Sequence, residues 1–266
     1  MILLEELTAM AKTNIRIIGK KGSKTCGIIV KEAGILRYTG KKNKADVLVN
    51  FGLAGKKMEA FLKRFPSAKR IPTINRYCGY SKLNVVNRVK AKGIKVPESK
   101  LTLSGKDNKK EWIEKRFSSI GGKGIQAARQ KGRMAKKYYQ KFISDRHYEL
   151  RVHTFLWMDD CRVQKRLGDP KEITWNYKTG GHFVTVHSPT SYQIFKEAIE
   201  VSRTALETLG MAFGAVDFVV DKEYNLYFLE VNSAPGVSGL SDQIYIDAFK
   251  KLKDLSLKEV LRYARK

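Results

Sequence analysis

The sequence of 266 residues predicts a mixed α/β fold, and three features support this expectation. Short apolar runs typical of strands recur along the chain, each bounded by glycine, proline or polar residues. Residues 192–209 place apolar side chains three and four positions apart, which predicts an amphipathic helix, and Gly210 is a typical stop for it. Two apolar runs between residues 214 and 236 flank a polar turn at 221–225, which predicts a β-hairpin.

The first part of the chain has the pattern of a small α/β unit. Three strands are expected there, at residues 14–19, 26–30 and 46–51. Ser81 is expected to begin a helix whose end is marked by Gly93, with Pro97 just beyond. The intervening stretch 72–80 is expected to be a linker.

The rest of the chain divides into two further units. The middle unit is expected to contain strands at 112–117 and 138–143, joined by a glycine-rich turn at 118–124. The last unit is expected to contain, in order, a strand at 147–157, a loop at 174–181, the 192–209 helix, the hairpin, and helices at 244–252 and 257–264. We therefore expect domains at residues 1–80, 81–143 and 144–266.

Composition narrows the class of protein. A hydrophobic content of 42% suffices for a sizeable core, and no apolar run approaches the roughly 20 residues of a membrane span. Cys26, Cys78 and Cys161 are scattered without metal-ligand spacing, which is typical of a reducing compartment. Residues 1–10 lack the basic start of a secretory signal. We expect a cytoplasmic protein that does not enter a membrane, and no motif indicates an oligomeric state.

The charge is strongly positive and unevenly distributed. The chain carries 52 Lys and Arg against 26 Asp and Glu, a net charge of +26. Residues 1–140 hold 34 basic and 9 acidic residues, a net charge of +25, whereas residues 141–266 are nearly neutral. A positive field of this kind attracts nucleic acid, anionic surfaces or acidic substrates. The alternative is that the charge serves solubility alone.

Three side chains of the predicted hairpin could meet on one surface. Glu230 and Asn232 lie two residues apart and so project from the same face of their strand. Asp217 is on the partner strand and can lie across from them. Two carboxylates and an amide oxygen form the kind of oxygen cluster that Mg²⁺ binds, usually together with substrate phosphates. Ordinary solvated acids are the alternative, but an unpaired carboxylate within apolar runs is costly.

The glycine-rich turn suggests a phosphate-binding loop. Gly121, Gly122 and Gly124 lie between two predicted strands, and glycine lets backbone N–H groups approach a phosphate closely. The turn is not a Walker loop, because no Gly-Lys-Ser/Thr opens a helix. An ordinary loop is the alternative, since glycine often punctuates chains.

Several motifs, in order over roughly residues 75–240, resemble those of the ATP-grasp carboxylate–amine ligases. The segment from Asp217 to Glu230-Val231-Asn232-Ser233-Ala234-Pro235-Gly236 is similar to the Gly-Val-Asp…Glu-Val-Asn-Ser-Ser-Pro-Gly pattern of RimK-type glutamate ligases. The resemblance implies an ATP-grasp fold with an N-terminal α/β domain, a small lid and a C-terminal antiparallel-sheet subdomain. It also implies ATP between lid and sheet, and two Mg²⁺ ions, with Mn²⁺ as an alternative, on Asp217, Glu230 and Asn232.

The resemblance further implies a set of nucleotide-contacting residues. Lys115 and Ile125 keep the family's ten-residue spacing around the phosphate loop, although Ser119-Ile120-Gly121 replaces the usual Gly-Ser-Gln. Residues 140–143 correspond to the hinge strand that meets the adenine, and Asp145 stands where a family Glu binds the ribose. The implied set is Lys82, Lys115, Ser118, Ser119, Gly121, Gly122, Gly124, Gln140, Lys141, Phe142, Ile143 and Asp145.

Two arginines are implied as catalytic residues. Glu149-Leu150-Arg151-Val152 resembles the family's Asp-Ile-Arg-Val, and Arg166 precedes Asn176 by the family's ten residues. Arginine suits an anionic intermediate because it stays charged and presents a planar fork of donors. The resemblance implies that Arg151 and Arg166 contact an acyl-phosphate and the oxyanion that follows it. Ordinary surface arginines are the alternative in a chain this basic.

The expected activity is that of an ATP-dependent ligase, which forms an amide or peptide bond through an acyl-phosphate and releases ADP and phosphate. The expected partners are ATP, a carboxylate substrate and an amine acceptor, each an amino acid or peptide and of acidic character. The alternative is a basic nucleic-acid-binding protein built on an ATP-grasp shell. The Asp217, Glu230 and Asn232 set argues against it, because a shell without catalysis has no need of those side chains.

Overall fold

The computed structural model describes residues 13–20, 22–40, 44–78, 80–118, 124–176, 179–236 and 240–265. Within these ranges the chain forms a small N-terminal sheet, a lid sheet and a larger C-terminal antiparallel sheet. Helices pack against the N-terminal and C-terminal sheets, which confirms the mixed α/β class. Residues 1–10 and the central part of the glycine-rich turn, at 119–123, lie outside the described residues.

The N-terminal sheet joins two distant parts of the chain. Its strands are β1 (Ile15–Gly19), β2 (Val47–Phe51), β3 (Thr73–Ile74) and β15 (Ala264–Arg265), side by side in that order. The first three are parallel and β15 is antiparallel to β3. The strands expected at 14–19 and 46–51 are thereby confirmed.

The strand expected at 26–30 is wrong, because this segment belongs to helix α1 (Lys24–Glu32). The Ser23 hydroxyl accepts the backbone N–H of Cys26 and so caps the helix. Thr25, Cys26 and Ile29 are buried on one face. Parallel β1 and β2 need a crossover between them, which a helix commonly provides, and a short apolar run does not by itself distinguish helix from strand. A second helix, α2 (Lys56–Arg64), follows β2.

The linker expected at 72–80 is wrong in its first part. Thr73–Ile74 forms β3, and Asn75 is only 1% exposed with a left-handed backbone, φ 56°. The Asn75 side chain accepts the N–H of Ala212 at 2.7 Å and donates to the carbonyl of Phe213 at 2.9 Å. Asn75 therefore fixes the N-terminal sheet against the segment that leads into the C-terminal sheet.

The lid follows helix α3 (Lys82–Lys90), which begins after Ser81 as expected. The lid sheet contains β4 (Ser99–Lys100), β9 (Lys137–Lys141), β6 (Trp112–Arg116) and β7 (Gln126–Ala127) in that spatial order. A separate pair, β5 (Thr102–Leu103) with β8 (Gly132–Arg133), accompanies this sheet. The lid has a small core of its own, formed by Leu103, Trp112, Ala128, Met134 and Tyr139. The strands expected at 112–117 and 138–143 are confirmed to within two residues.

The C-terminal sheet has five antiparallel strands. In spatial order they are β12 (His182–Thr185), β11 (Met158–Leu167), β10 (Arg146–Phe155), β13 (Phe213–Asp221) and β14 (Leu226–Asn232). The remaining helices are α4 (Gln193–Leu209), α5 (Leu240–Asp254) and α6 (Leu257–Leu261). The predicted hairpin, the 147–157 strand, the 192–209 helix with its Gly210 stop, and the 244–252 helix are confirmed. The helix expected at 257–264 is confirmed to Leu261, and Ala264 belongs to β15 instead. The loop expected at 174–181 is described except at 177–178.

Strand β11 has no counterpart among the predictions. It contains Asp159, Asp160, Arg162, Lys165 and Arg166, so it lacks the apolar alternation that marks a strand. Its pairing with β10 nevertheless holds from Glu149↔Arg166 to Phe155↔Met158. Backbone pairing between two neighbours thus forms a strand whose side chains are polar.

Two large cores hold the units together. One packs β1, β2 and α1 against α5 and α6, with Phe155, Trp157 and Phe213 at its centre. The other lies between the C-terminal sheet, α4 and the α3 segment. The helices after residue 240 therefore pack on the N-terminal unit, while the boundaries at 80 and 143 stay a prediction. Among the described helices, none has the length and apolarity needed to cross a bilayer.

Replacing Asn75 is expected to weaken the fold in two separable ways. Asn75→Ala loses two buried hydrogen bonds and places alanine in the left-handed region, which should lower the free energy of unfolding by about 3 kcal/mol. Asn75→Gly loses the same bonds without backbone strain and should cost less. Urea denaturation measures both, with Asn87→Ala on the exposed face of α3 as the control. Equal stability of wild type and Asn75→Ala would contradict this role.

Candidate active site

A cleft of about 400 Å³ lies between the lid and the C-terminal sheet. The lid contributes side chains from β6 and β9, and the C-terminal sheet contributes side chains from β10, β11, β13 and β14. The predicted site residues that line the cleft are Lys82, Lys115, Gln140, Lys141, Phe142, Ile143, Arg151, Arg166, Asp217, Glu230 and Asn232. The fold therefore assembles most of the predicted set in one place.

The floor of the cleft is the β13–β14 hairpin. Asp217 and Glu230 are direct partners in the antiparallel register, so their side chains share a face. Asn232, two residues beyond Glu230, projects from the same face. Its Nδ2 atom lies 3.4 Å from Asp217 Oδ2 and 3.5 Å from Glu230 Oε1. The hairpin brings the three predicted metal-ligating side chains together.

Asp217 is held as a buried carboxylate by Arg151. Arg151 lies opposite Asp217 in the register of β10 and β13. Its Nε and Nη2 atoms donate to the two carboxylate oxygens, each at 2.7 Å. Burial alone would raise the pKa of Asp217, but the Arg151 guanidinium outweighs it and holds this pKa below its ordinary value. Asp217 is therefore an anion at neutral pH.

A second ion-pair cluster adjoins the first. Arg166 Nη1 donates to Glu149 Oε2 at 2.6 Å, and Arg146 Nη1 donates to Glu149 Oε1 at 2.9 Å. Arg166 Nη2 also lies 3.7 Å from Asp217 Oδ2. Burial raises the pKa of Glu149, with Arg166 and Arg146 opposing the rise. Arg166 thus connects the two buried acids of the cleft.

The lysine side chains of Lys82, from α3, and Lys115, from the lid, also line the cleft. Lys82 Nζ lies 2.5 Å from Glu230 Oε2. Lys115 on β6 is buried, and its Nζ donates to Gln140 Oε1 at 2.9 Å. Burial lowers the pKa of Lys115 to about 8, although the negative charge of Glu230 opposes the fall. Cationic side chains, Arg146 among them, therefore outnumber the acidic ones that line the cleft.

The donor set at the floor fits a hard divalent cation. The Asp217 and Glu230 carboxylates and the Asn232 amide meet at one point of the floor, where the amide Nδ2 faces both carboxylates. A half-turn of this amide would present its oxygen instead and complete an all-oxygen set, which is the chemistry Mg²⁺ prefers. No described group of three or more His, Cys, Asp or Glu has the arrangement to hold a metal, so the amide is needed to complete this set. Arg151 and Lys82 now neutralise the same carboxylates, so a metal ion would compete with them for oxygens.

Some predicted nucleotide residues lie away from the cleft lining. Asp145 is exposed, and its backbone carbonyl accepts the N–H of Lys222 at 3.0 Å. Ser118 is exposed at one end of the glycine-rich turn, and Gly124 stands at the other. Gly124 has φ +76°, and a Cβ there would come within 2.7 Å of the Arg116 side chain, so the position requires glycine. Ser119, Gly121 and Gly122 lie outside the described residues.

The structure also adds cleft residues that the motifs did not single out. The Arg146 guanidinium stacks on the Trp175 ring at 3.8 Å and donates to the carbonyls of Glu172 and Ile173. Phe183 on β12 lies under Arg166 and Arg151, at 4.5 and 5.1 Å. A single arginine in a basic chain and a phenylalanine in a short strand carry no distinctive pattern. Only the pairing of β10, β11 and β12 brings them to the cleft.

Sequence comparison identifies the family of proteins to which this chain belongs. The model of the ATP-grasp domain family matches residues 80–238, more than half of the chain. The protein therefore belongs to the ATP-grasp domain family. The matched stretch contains every cleft residue named above. No curated protein matches the chain.

Solved structures of ATP-grasp ligases share the fold. The ligase PsnB complexed with its minimal precursor superposes with a TM-score of 0.59 at 13% identity, over 93% of this chain and 100% of that chain. A RiPP-associated ligase from Chryseobacterium gregarium, in complex with ADP and a leader and core peptide, gives 0.57 at 13% identity, over 92% and 96%. The D-alanine–D-alanine ligase of Bacillus anthracis, complexed with ATP, gives 0.56 at 14% identity, over 93% and 96%.

Removing Arg151 is expected to destabilise the protein strongly, because Asp217 would stay buried without its partner. We expect Arg151→Ala to lower the free energy of unfolding by about 3–5 kcal/mol, as measured by urea denaturation at neutral pH. The double variant Arg151→Met, Asp217→Leu should lose much less, since apolar side chains often replace a buried ion pair at little cost. Equal losses in the two variants would show that the pairing of charges is not what stabilises this region.

Proposed function

We propose that this protein is an ATP-dependent carboxylate–amine ligase, similar in its motifs to the RimK-type glutamate ligases. It activates a carboxylate as an acyl-phosphate, transfers the acyl group to an amine and releases ADP and phosphate. The observation that carries the proposal is the composition of the cleft. Two lysines suited to phosphates, an oxygen cluster suited to Mg²⁺ and two guanidinium groups share one space.

The nucleotide is proposed to bind along the lid side of the cleft. Residues 140–143 line the cleft where the lid meets the body, and Phe142 and Ile143 offer apolar surface to an adenine ring. Lys82 and Lys115 place ammonium groups near Glu230, where the phosphates would approach the metal-ligating side chains. A triphosphate carries the negative charge that would draw Lys82 away from Glu230.

Asp217, Glu230 and Asn232 would hold the Mg²⁺ ions, which when bound neutralise charge on the phosphate oxygens. We propose two ions, as expected from the resemblance, with Mn²⁺ as a substitute. PsnB, a protein of the same fold, has been solved with Mg and ADP. Release of Glu230 by Lys82 would free one carboxylate oxygen for a metal.

The two arginines take different roles in this proposal. Arg151 commits Nε and Nη2 to Asp217 and so positions that carboxylate. Arg166 makes one short contact, to Glu149, and keeps further N–H donors for a developing oxyanion. We therefore assign the contact with the acyl-phosphate and tetrahedral oxyanion to Arg166, and a positioning role to Arg151.

The charge distribution suggests that a substrate is acidic. The N-terminal unit and lid hold nearly all of the net positive charge, and electrostatic steering raises the encounter rate with a negatively charged partner. One structural neighbour was solved with a leader and core peptide. We propose that an acidic peptide or protein supplies the carboxylate. The same charge favours a second candidate, nucleic-acid binding.

Glu230→Ala should abolish substrate-dependent ADP release, because the metal-ligating set loses a carboxylate. The matched control is Glu223→Ala, which removes an acid from the turn of the same hairpin, outside the cleft. ADP release is measured with Mg-ATP and a panel of amino acids and acidic peptides, and the product mass identifies the bond formed. Undiminished turnover in Glu230→Ala would refute the metal assignment. Failure of wild type to release ADP with any carboxylate, together with a salt-sensitive gel shift of RNA or DNA, would favour the second candidate.

The affinity for ATP should depend on the protonation of Lys115. Since the pKa of this buried amine is about 8, its positive charge is present below that pH and is lost as the pH rises through it. ATP affinity in wild type should therefore fall above pH 8, by up to about tenfold per pH unit. Lys115→Arg keeps its charge and should show a flatter profile. Binding of a fluorescent ATP analogue measures both, and parallel profiles would contradict a phosphate contact by Lys115.

A further inference from the structure

One side of the C-terminal sheet ends in a short strand with an open edge. β12 pairs with β11 and is terminal in the strand order, so no described strand covers its outer side. We call the outer side of residues 182–185 the β12 edge. It borders the cleft, because Phe183 is both a β12 residue and part of the cleft lining.

The register shows which backbone groups face outward. The N–H of Val186 donates to the carbonyl of Val163. Val184, two residues before Val186, lies opposite Lys165 of β11. In an antiparallel ladder, bonded and non-bonded pairs alternate, so Val184 belongs to a bonded pair. Phe183 and Thr185 then belong to non-bonded pairs, and their N–H and C=O groups point away from β11. The β12 edge therefore presents two donors and two acceptors in the spacing of a strand.

The side chains around this edge are unusually apolar and exposed. Phe183 is 42% exposed on the cleft face, and Val184 is 46% exposed on the opposite face. Tyr192, which contacts Phe195 near Lys165, is 61% exposed. Proteins usually protect an edge strand with charges, proline or a covering segment. β12 is short, but no described strand covers its outer side, and exposed apolar residues at such an edge are typical of a surface that contacts another chain.

The side chains beside the β12 edge are positively charged, which favours an acidic partner. Arg162, Lys165 and Arg166 lie on the adjacent part of β11, and neither 161–168 nor 179–191 contains an acidic residue. The two acids nearest in the cleft, Glu149 and Asp217, are already paired with arginines. A negatively charged segment along 182–185 would therefore meet positive side chains of β11, while the acids Asp159 and Asp160 lie beyond Arg162 on the same strand.

We propose that the β12 edge binds an extended acidic segment of a polypeptide substrate as an additional antiparallel or parallel strand. Alternate side chains of this segment lie on the cleft face beside Phe183, so a Glu or Asp there approaches the Arg166 guanidinium. Backbone pairing supplies affinity and the cleft-facing side chains supply specificity. The assignment of the bound segment as a substrate rests on the proposed ligase function, whereas the docking itself does not. A nucleic acid lacks the alternating amide pattern that matches this edge.

The direct test measures binding of a fluorescent peptide of alternating Glu and Thr by anisotropy, with the Gln–Thr peptide as its charge control. We expect the Glu peptide to bind, and the Gln peptide to bind at least several-fold more weakly. Two further Glu–Thr peptides carry N-methyl groups, one on every Glu and the other on every Thr. Only one of these alternating sets of N–H groups can face β12, so one methylated peptide should lose affinity while the other keeps it. Equal affinities of the two methylated peptides would overturn the proposal.

A matched pair of variants tests the same bonds from the protein side. Thr185→Pro removes an outward N–H while leaving the bonds of Val184 and Val186 to β11, and proline is tolerated on an edge strand. Thr185→Val loses only the hydroxyl that accepts a bond from Arg162. Thr185→Pro should weaken peptide binding roughly five-fold relative to Thr185→Val. Identical affinities would overturn the proposal, and the methylated peptides decide it with wild-type protein if Thr185→Pro does not fold.

The outcomes separate this inference from the proposed function. ADP release with the Glu peptide, combined with equal KM values for Thr185→Pro and Thr185→Val, would support the ligase and refute docking at β12. Peptide binding that depends on Thr185 and on the methylation pattern, without ADP release, would support docking and refute the ligase. Binding of RNA or DNA that displaces the peptide equally from both Thr185 variants would also count against the edge.

Discussion

The buried pair between Arg151 and Asp217 is the interaction on which the rest of the site depends. It joins neighbouring strands at the centre of the C-terminal sheet with two short bonds to one carboxylate. Without Arg151, Asp217 would be a desolvated charge with longer contacts to Asn232 and Arg166 at 3.4 and 3.7 Å. With it, Asp217 stays ionised inside the protein and Glu230 is aligned beside it by the strand register. The proposed binding of a metal at the floor thus depends on a structural ion pair.

The same charge balance explains why the cleft suits a charged reactant. Lys82, Arg146, Arg151 and Arg166 each contact one of the acids Glu149, Asp217 and Glu230, whereas Lys115 donates to the neutral Gln140. Phosphates and divalent cations could exchange places with these internal partners while each ion keeps a counter-ion. Lys82 is the clearest case, because its contact with Glu230 occupies the oxygen that a metal would use. Binding then becomes an exchange of ion pairs, without the cost of burying uncompensated charge.

A residue's role can be predicted from the sequence when it depends on residues nearby in the chain, and not when it depends on distant ones. The hairpin acids stand out because carboxylates within apolar runs are rare, and Ser81 and Gly210 mark helix ends through local chemistry. The strand prediction for residues 26–30 fails because only the parallel pairing of β1 and β2 requires a helix there. β11 has a polar sequence, of which Arg166 reaches the cleft lining, so no apolar alternation reveals it. Asn75, Arg146 and Phe183 gain their roles from partners 138, 29 and 17 positions away, which no local pattern encodes.

The central claim is that Asp217, Glu230 and Asn232 hold the metal that accompanies the nucleotide, once Lys82 has left Glu230. Crystals grown with Mn²⁺ and a non-hydrolysable ATP analogue test it most directly, through the anomalous scattering of manganese. We expect manganese peaks about 2.1–2.3 Å from oxygens of these three side chains, with Lys82 Nζ turned towards the phosphates. Manganese located elsewhere in the cleft, or an unbroken Lys82–Glu230 contact beside bound nucleotide, would contradict the account.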